Sequence, residues 1–534
     1  MSGMTRLRAR ARLLPLGLAL AVLALAAPLS PALAAPAGKD TLTLLRSSDS
    51  VTLDPARAFD IESVQATTQM YEGLVRQKDA SSQIEPALAE SWSISADGLS
   101  WTFHLRKGVL FHDGTPFTAQ AAALSIMRQV DPGNPFHTPR MYTSRLLFEN
   151  ILRAEALDEL TLRITLDRPT TSLLSSLAMA QAALVSPQAM ARWGQELGSH
   201  PVGTGPFRFV EWNKGESIVL ERNPAYWGPK ARISRLVLRS VPNEGARFRE
   251  FQSGRADAML GVTPPDLPLV DKIPGVKILR GHGLNIAFLG INTQRGHLRK
   301  TAVRQAVNLA LDRTLLVNLV FGYAAEPALS PIPQPIMDTR DLLHPTALRS
   351  NVQKARQLLA KEGLAAGFDA TLMVMDTPRA YLPEPQRMAQ AIKQSLAAVG
   401  IRVRLVTVPW AGYLAQAGRG EHDFCLSGWQ FESLSPHEFL RHKLSWDDLS
   451  KGTGSNVTLW RDKRFDTLVT RAEAAQTDKE RARLYRQALQ LVDQEAPLVP
   501  LSHMNNIVAL RPGVHGLSLQ PFAADLRLTK AHKD

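Results

Sequence analysis

Thirteen histidines and one cysteine, Cys425, are the side chains best suited to metal binding or nucleophilic attack, and the sequence does not gather them. His437 and His442 stand five residues apart, which fits neither an i, i+4 pair on one helix face nor a zinc-ligand spacing. The chain has no G-x-S-x-G elbow, no P-loop and no H-E-x-x-H pair. Triad residues need not be adjacent in sequence, so this weighs against an enzyme without removing that reading. A lone cysteine can form neither an internal disulfide nor a Cys-rich zinc site. The residue types therefore point to a protein with no catalytic residues, no metal and no cofactor.

Any site has to be held by regular elements, and periodicity locates several of them. The chain has 534 residues, 45% hydrophobic and 21% charged, which is enough for two or three soluble domains. Leu160, Leu162, Ile164 and Leu166 alternate with polar residues, as in a half-buried strand. Strands are also expected over 217–221 and 235–241. Val303, Ala306, Val307, Ala310 and Leu311 share one helical face, as do Met388, Ile392, Leu396 and Val399. Gly400 follows as a helix terminator, and Ile401, Val403 and Leu405 then alternate as a strand. That helix–Gly–strand order makes the fold class α/β.

The N-terminus reads as a leader outside the fold. Arg6, Arg8, Arg10 and Arg12 precede an apolar run from Leu13 to Ala27, and Ala32 and Ala34 supply an A-x-A cleavage pattern. Residues 1–34 are expected to be a signal peptide, cut after Ala34. The run is shorter than the roughly 20 residues that span a bilayer. No cysteine follows the cut to carry a lipid, so the mature chain is expected free in the periplasm and not membrane-anchored. Net charge is +13, of which the leader carries four, leaving +9. The basic residues are scattered, and no nucleic-acid partner is expected.

Seven short segments carry more specific information. In order they are Pro86-Ala87-Leu88-Ala89-Glu90-Ser91-Trp92; Trp101-Thr102-Phe103-His104-Leu105-Arg106-Lys107-Gly108-Val109 with Phe111-His112-Asp113-Gly114; Pro201-Val202-Gly203-Thr204-Gly205-Pro206-Phe207; Arg222-Asn223-Pro224-Ala225-Tyr226-Trp227-Gly228; Asn285-Ile286-Ala287-Phe288-Leu289; Val303-Arg304-Gln305-Ala306; and Gly428-Trp429. Physically, Trp101, Phe103 and Leu105 should face a core. Gly203 and Gly205 should make a tight turn with unusual backbone angles, and Pro224 should end a strand. Together the segments resemble the extracellular solute-binding protein family of peptide and nickel ABC importers, most of all its periplasmic dipeptide-binding members.

The resemblance implies two α/β lobes joined by a hinge, a periplasmic binding protein fold whose first lobe has an inserted subdomain. The implied layout assigns 35–77, 205–285 and 505–534 to the base of lobe one, 78–204 to the insertion and 286–504 to lobe two. It implies capture of a short, dipeptide-like ligand by a monomer that delivers it to an inner-membrane ABC permease. A zwitterionic peptide buried in a cleft needs an opposite charge at each end. By resemblance, Arg379 pairs with the ligand carboxylate, and Tyr381 belongs to the same loop. Glu432 stands where relatives place an aspartate for the ligand amine, four residues after Gly428, and Trp429 and Trp410 either line the cleft or fill core. The sequence departs from those relatives at Glu432, at Ser435-Pro436 in place of Asp-Pro, and in lacking their paired cysteines. Haem, glutathione, wall-peptide and nickel-chelate ligands remain open, as do a chaperone and an enzyme.

Overall fold

Leu498–Leu510 is a strand of thirteen residues, buried at both ends and less so between His503 and Asn506. Its apolar–polar–apolar sequence suits a strand that enters two cores in succession. Its first half pairs antiparallel with Asn285–Ile291, Leu289 opposite Val499. Its second half pairs antiparallel with Lys277–His282 and Ala258–Leu260, Leu279 opposite Val508 and Met259 opposite Ala509. The computed structural model describes residues 40–534 apart from 80–82, 139–147, 171–172, 343–344, 432, 451–454, 476 and 523–525. The expected leader and Glu432 therefore lie outside the described residues. No helix among the described residues is long and apolar enough to cross a membrane.

On one side of the long strand the sheet continues through Asn285–Ile291, Phe424–Gln430, Phe368–Met375 and Ile401–Val408. On the other it continues through Ala258–Leu260, Thr41–Arg46, Arg235–Ser240, Ser217–Arg222 and Phe207–Asn213. Each side has a parallel set. Phe368–Met375 is parallel to both Ile401–Val408 and Phe424–Gln430, and Thr41–Arg46 is parallel to both Arg235–Ser240 and Ala258–Leu260. Parallel neighbours need crossovers, supplied here by helices such as Pro385–Ala397 and Glu244–Gln252. The expected elements are present: Thr161–Leu166, Ser217–Arg222, Arg235–Ser240 and Ile401–Val408 are strands, and Thr301–Ala310 and Pro385–Ala397 are helices.

A separate four-stranded sheet orders Ala89–Ile94, Ser100–Leu105, Thr161–Leu166 and Ile151–Ala156 under the helix Ala119–Val130. Trp101, Phe103 and Leu105 bury into its core, as their alternation requires. This sheet is tied to the main one by buried polar groups. Arg128 and Asp54 form an ion pair at 2.5 Å with side chains 2% and 4% exposed. Glu72 accepts hydrogen bonds from Thr204 Oγ1, Tyr226 Oη and Trp227 Nε1, each at 2.8 Å. Neither Gly203 nor Gly205 has positive φ, contrary to the unusual angles expected of them. They are glycine because the chain passes tightly against Met70, where any Cβ would collide with its backbone.

Where the long strand passes from one half of the sheet to the other, a single asparagine holds the junction. Asn285 accepts from Met504 N through Oδ1 at 2.6 Å and donates from Nδ2 to Met504 O at 2.9 Å. Gly283 lies against Met504 O, with no room for a Cβ. Further from the junction, the helix Pro436–Leu444 covers one face of the sheet and buries Lys443, 5% exposed, above Cys425. Its Nζ donates to Ser455 Oγ at 2.8 Å, and burial lowers its pKa from 10.5 to about 8.

Two outcomes follow from these junctions. Asn285→Ala leaves the backbone N–H and C=O of Met504 without their side-chain partner, and it should destabilise the protein by roughly 2 kcal/mol or more in urea unfolding. Asn285→Asp keeps the acceptor but sets a buried carboxylate oxygen against Met504 O, and it should lose at least as much. Lys443→Met removes a buried charge. Below pH 8 the lysine is charged in both folded and unfolded chains, so its burial costs stability. As pH rises from about 8 to 10.5 the folded lysine becomes neutral first and the cost falls away. The variant should therefore be more stable than wild type at pH 7, by up to about 3 kcal/mol, with the difference closing above pH 10.

Candidate ligand-binding site

The strand directions define a crevice. Phe424–Gln430, Phe368–Met375 and Ile401–Val408 run the same way as the long strand, toward the half that holds Thr41–Arg46. Thr41–Arg46, Arg235–Ser240 and Ala258–Leu260 run the opposite way. The carboxyl ends of both parallel sets thus point at each other across residues 503–506. In open α/β sheets that edge is where ligands bind, because the loops leaving it are free to vary.

From one side the crevice receives the segments after Met375, Val408 and Gln430. After Met375 the chain makes a tight reversal, with Arg379 N donating to Leu382 O at 3.1 Å and Leu382 N to Arg379 O at 2.8 Å. This presents Arg379, whose guanidinium carbon lies 3.5 Å from the centroid of the Trp410 ring. Trp410 opens the helix after Val408, stacks on Tyr413 at 5.8 Å and donates its backbone N–H to Asp376 Oδ1 at 3.0 Å. Arg379 Nε is buried without a hydrogen-bond acceptor, and among the described residues no carboxylate comes within ion-pair distance of the guanidinium. The fold thus orients a cation by stacking and, among the described residues, gives it no counter-ion.

Tyr381 follows two residues later. Its ring lies flat on Gly428, where a Cβ would collide with the ring and with Ile286 O. This contact accounts for the glycine in the Gly428-Trp429 pair. Burial pushes the Tyr381 phenol up to about 12, opposed by the charge of Arg379. Arg379, Tyr381, Gly428 and Trp410 therefore come together. Trp429 does not join them, since it is the next residue along the strand and its side chain leaves by the opposite face. There its Nε1 donates to Glu438 Oε1 at 2.7 Å and Lys443 Nζ lies 4.7 Å from its ring centroid.

Glu438 and Lys443 were not picked out by sequence reasoning. Glu438 had a legible signal, because Ser435-Pro436-His437-Glu438 has the S-x-x-E spacing of a capping box. Ser435 does cap the helix, accepting from His437 N at 3.3 Å. Lys443 had no such signal, because a lysine is ordinarily exposed.

The other wall comes from the segment after Arg46. Arg46 is 1% exposed and ties this loop down, donating from Nη1 to Ser50 Oγ at 3.1 Å and to Glu62 O at 2.8 Å. Asp49 is engaged by Trp212 Nε1 at 3.0 Å and Gly215 N at 2.7 Å. Val51, 74% exposed, leaves an apolar group on the surface of the same segment. Cys425 is fully buried and its thiol is pushed up to about 12 by that burial, the opposite of an activated nucleophile. The arrangement is suited to holding a planar anion beside aromatic surface.

The chain is similar to known proteins over most of its length. The model of the bacterial extracellular solute-binding proteins, family 5, matches residues 83–451. "Heme-binding protein A" of Haemophilus influenzae is 35% identical, with 88% of each chain covered. The "Dipeptide-binding protein" of Escherichia coli is 30% identical over 85% of this chain and 88% of its own. Among solved structures, the ABC transporter-associated periplasmic binding protein DppA from Helicobacter pylori, in complex with the peptide STSA, superposes with a TM-score of 0.70 at 31% identity, covering 92% of this chain and 98% of that one. The fold is the two-lobed α/β architecture of periplasmic binding proteins, with the long strand shared between the two halves of its sheet. The chain belongs to the bacterial extracellular solute-binding proteins, family 5.

Proposed function

We propose that this protein captures a short peptide between its lobes and delivers it to an inner-membrane ABC permease. The observation that carries the reading is Arg379, an oriented guanidinium at the carboxyl edge of the sheet that has no carboxylate partner among the described residues. A guanidinium fork matches a carboxylate in two hydrogen bonds, so a free peptide C-terminus supplies what the site lacks. Tyr381, Gly428 and Trp410 form the surface around it, and Trp429 stands beside Gly428. Glu432 is assigned to the ligand amine on the sequence resemblance alone. The relatives' names support a peptide: one is called a dipeptide-binding protein, and another holds the peptide STSA. On this reading the leader ends at Ala34, and the mature chain works in the periplasm as a monomer, unanchored and without a cofactor. Residues 35–77, 205–285 and 505–534 form the base of lobe one, with 78–204 inserted and 286–504 as lobe two. Closure over the ligand bends the chain near Gly283 and Met504.

A second reading has one specific support, the 35% identity to a protein named for haem binding. Haem is planar and carries carboxylates, so it too would satisfy an arginine stacked on a tryptophan. The two ligands differ at their other end, since a peptide carries an amine and haem does not.

A panel of Met-Leu, Ser-Thr-Ser-Ala, glutathione and haemin should separate them. The cognate ligand should stabilise the fold by about 2.7 kcal/mol at a hundredfold excess over Kd, read as a thermal shift. A response to haemin with none to any peptide discards the peptide reading. Arg379→Ala should weaken free Met-Leu by a hundredfold or more and C-terminally amidated Met-Leu by only a few-fold, since removing one partner of a desolvated ion pair costs roughly 3–5 kcal/mol. Equal losses for both peptides in calorimetry would remove Arg379 from the carboxylate site.

A further inference from the structure

Asp376 is the first residue after Phe368–Met375, at the carboxyl edge that opens on the crevice, and it is exposed. It is also the carboxylate nearest to Arg379 along the chain, three residues before it. A loose loop would let the two attract and so cancel the charge that the site needs. They do not pair. Asp376 instead turns Oδ1 to Trp410 N, which donates at 3.0 Å, and to Thr377 Oγ1, which donates at 2.8 Å.

The reason lies in the helix that Trp410 opens. The N–H groups of a first turn have no partner within the helix. Pro409 stands in the capping position of Trp410–Gly418, and its side chain has no atom that can accept a hydrogen bond. Asp376 supplies the missing acceptor from the end of the neighbouring strand, where the positive end of the helix also favours its charge. The backbone closes the same junction, since Asp376 N donates to Val408 O at 3.2 Å. Trp410 is thereby fixed at its backbone. Its ring stacks on Tyr413 at 5.8 Å with the planes 17° apart, and Tyr413 is itself fully buried, its hydroxyl against the carbonyls of Met373 and Leu426. The indole therefore offers a set plane to the Arg379 guanidinium, 3.5 Å from its centroid.

We propose that Asp376 is a positioning residue for the ligand carboxylate: it caps Trp410–Gly418 from another strand, so sets the Trp410 ring against Arg379, and by the same bond withholds its own carboxylate from that guanidinium. The proposal rests on reading Arg379 as the carboxylate site. The stack covers one face of the guanidinium, and Nε is buried. An incoming carboxylate meets the terminal nitrogens, as in an end-on bidentate pair. A ligand that finds this fork already oriented does not have to order it.

The test compares Asp376→Ala with Asp376→Asn in the mature protein. Asparagine keeps the acceptor and drops the charge, whereas alanine drops both. The ligand-free readout is the Arg379 Nε–H resonance in NMR, which the Trp410 ring current displaces and which Arg379→Ala identifies by its loss. Asp376→Ala should move that resonance toward the position of an unstacked arginine, and Asp376→Asn should leave it in place. Asp376→Ala should also weaken free Met-Leu, or haemin if the panel selects it, about fivefold, and Asp376→Asn should restore affinity to within about twofold of wild type. In an Arg379→Ala background, Asp376→Ala should change affinity by less than about twofold, because the group it acts through has gone. Equal losses in both backgrounds assign Asp376 to general stability and overturn the proposal. So does an asparagine variant as weak as the alanine variant, which makes the charge of Asp376 itself a ligand contact. Tighter binding by both variants also overturns it, since Asp376 would then compete for Arg379. Should Asp376→Ala fail to fold, Trp410→Leu, which removes the ring and keeps the backbone N–H, must move the Arg379 resonance and weaken the same ligand about fivefold for the proposal to stand. If wild type binds neither probe, the peptide and haem readings fall, and the resonance alone decides. A shift in Asp376→Ala that is absent from Asp376→Asn then upholds the positioning, and no shift overturns it.

Discussion

Residues 498–510 belong to both halves of the sheet at once, and the rest of the architecture follows from that sharing. A strand satisfies its backbone groups only through its neighbours. A thirteen-residue strand paired at both ends therefore commits two sets of partners to one axis. Because each half contains a set of parallel strands, each has a carboxyl edge, and the antiparallel pairings turn those edges toward each other. The crevice is a consequence of strand direction. The polar stretch at His503–Asn506 is the part of the strand that is only partly buried, between two buried apolar ends. Asn285 supplies from its side chain the hydrogen bonds that the bent backbone cannot make there.

The protein treats its buried charges in two different ways. In the framework they are matched: Arg128 meets Asp54, Arg46 lies 3.7 Å from Asp49 and donates from Nη1 to Ser50 and the carbonyl of Glu62, and Glu72 takes three donors from two separate segments. Such ion-paired or hydrogen-bonded groups add little net energy but fix how elements meet, because an alternative packing would leave them unpaired. At the crevice the pattern reverses. Arg379 is held by an aromatic face and by a reversal of its own backbone, and no carboxylate among the described residues pairs with it. A site of this kind is stable because stacking orients the guanidinium without neutralising it.

Glycine plays a similar double part. Gly203 and Gly205 let the chain pass Met70 in the framework, and Gly428 lets Tyr381 lie on the strand at the crevice. In each case the missing side chain is replaced by a neighbour that would otherwise not fit. The motif glycines therefore record close approaches between distant segments, a meaning that turn chemistry alone did not convey.

Much of this was legible from residues. The alternation at 160–166 and the helical faces at 303–311 and 388–399 survive because each element buries one side, and burial imposes its period on the sequence. Arg379 and Tyr381 could be named as candidates only through the family resemblance, since an arginine and a tyrosine in a loop carry no local pattern of their own. The sequence also contained the capping spacing of Ser435 and Glu438 and the apolar–polar–apolar run of the long strand. Only the tertiary structure decided what these groups meet. It put Trp410 under Arg379, Tyr381 on Gly428, and Glu438 and Lys443 around Trp429, on the far face of the same strand. Local pattern reports which side of an element is buried, since that depends on neighbours three or four residues away. Partners from separate elements depend on strand order and direction, which a periodic sequence leaves undetermined.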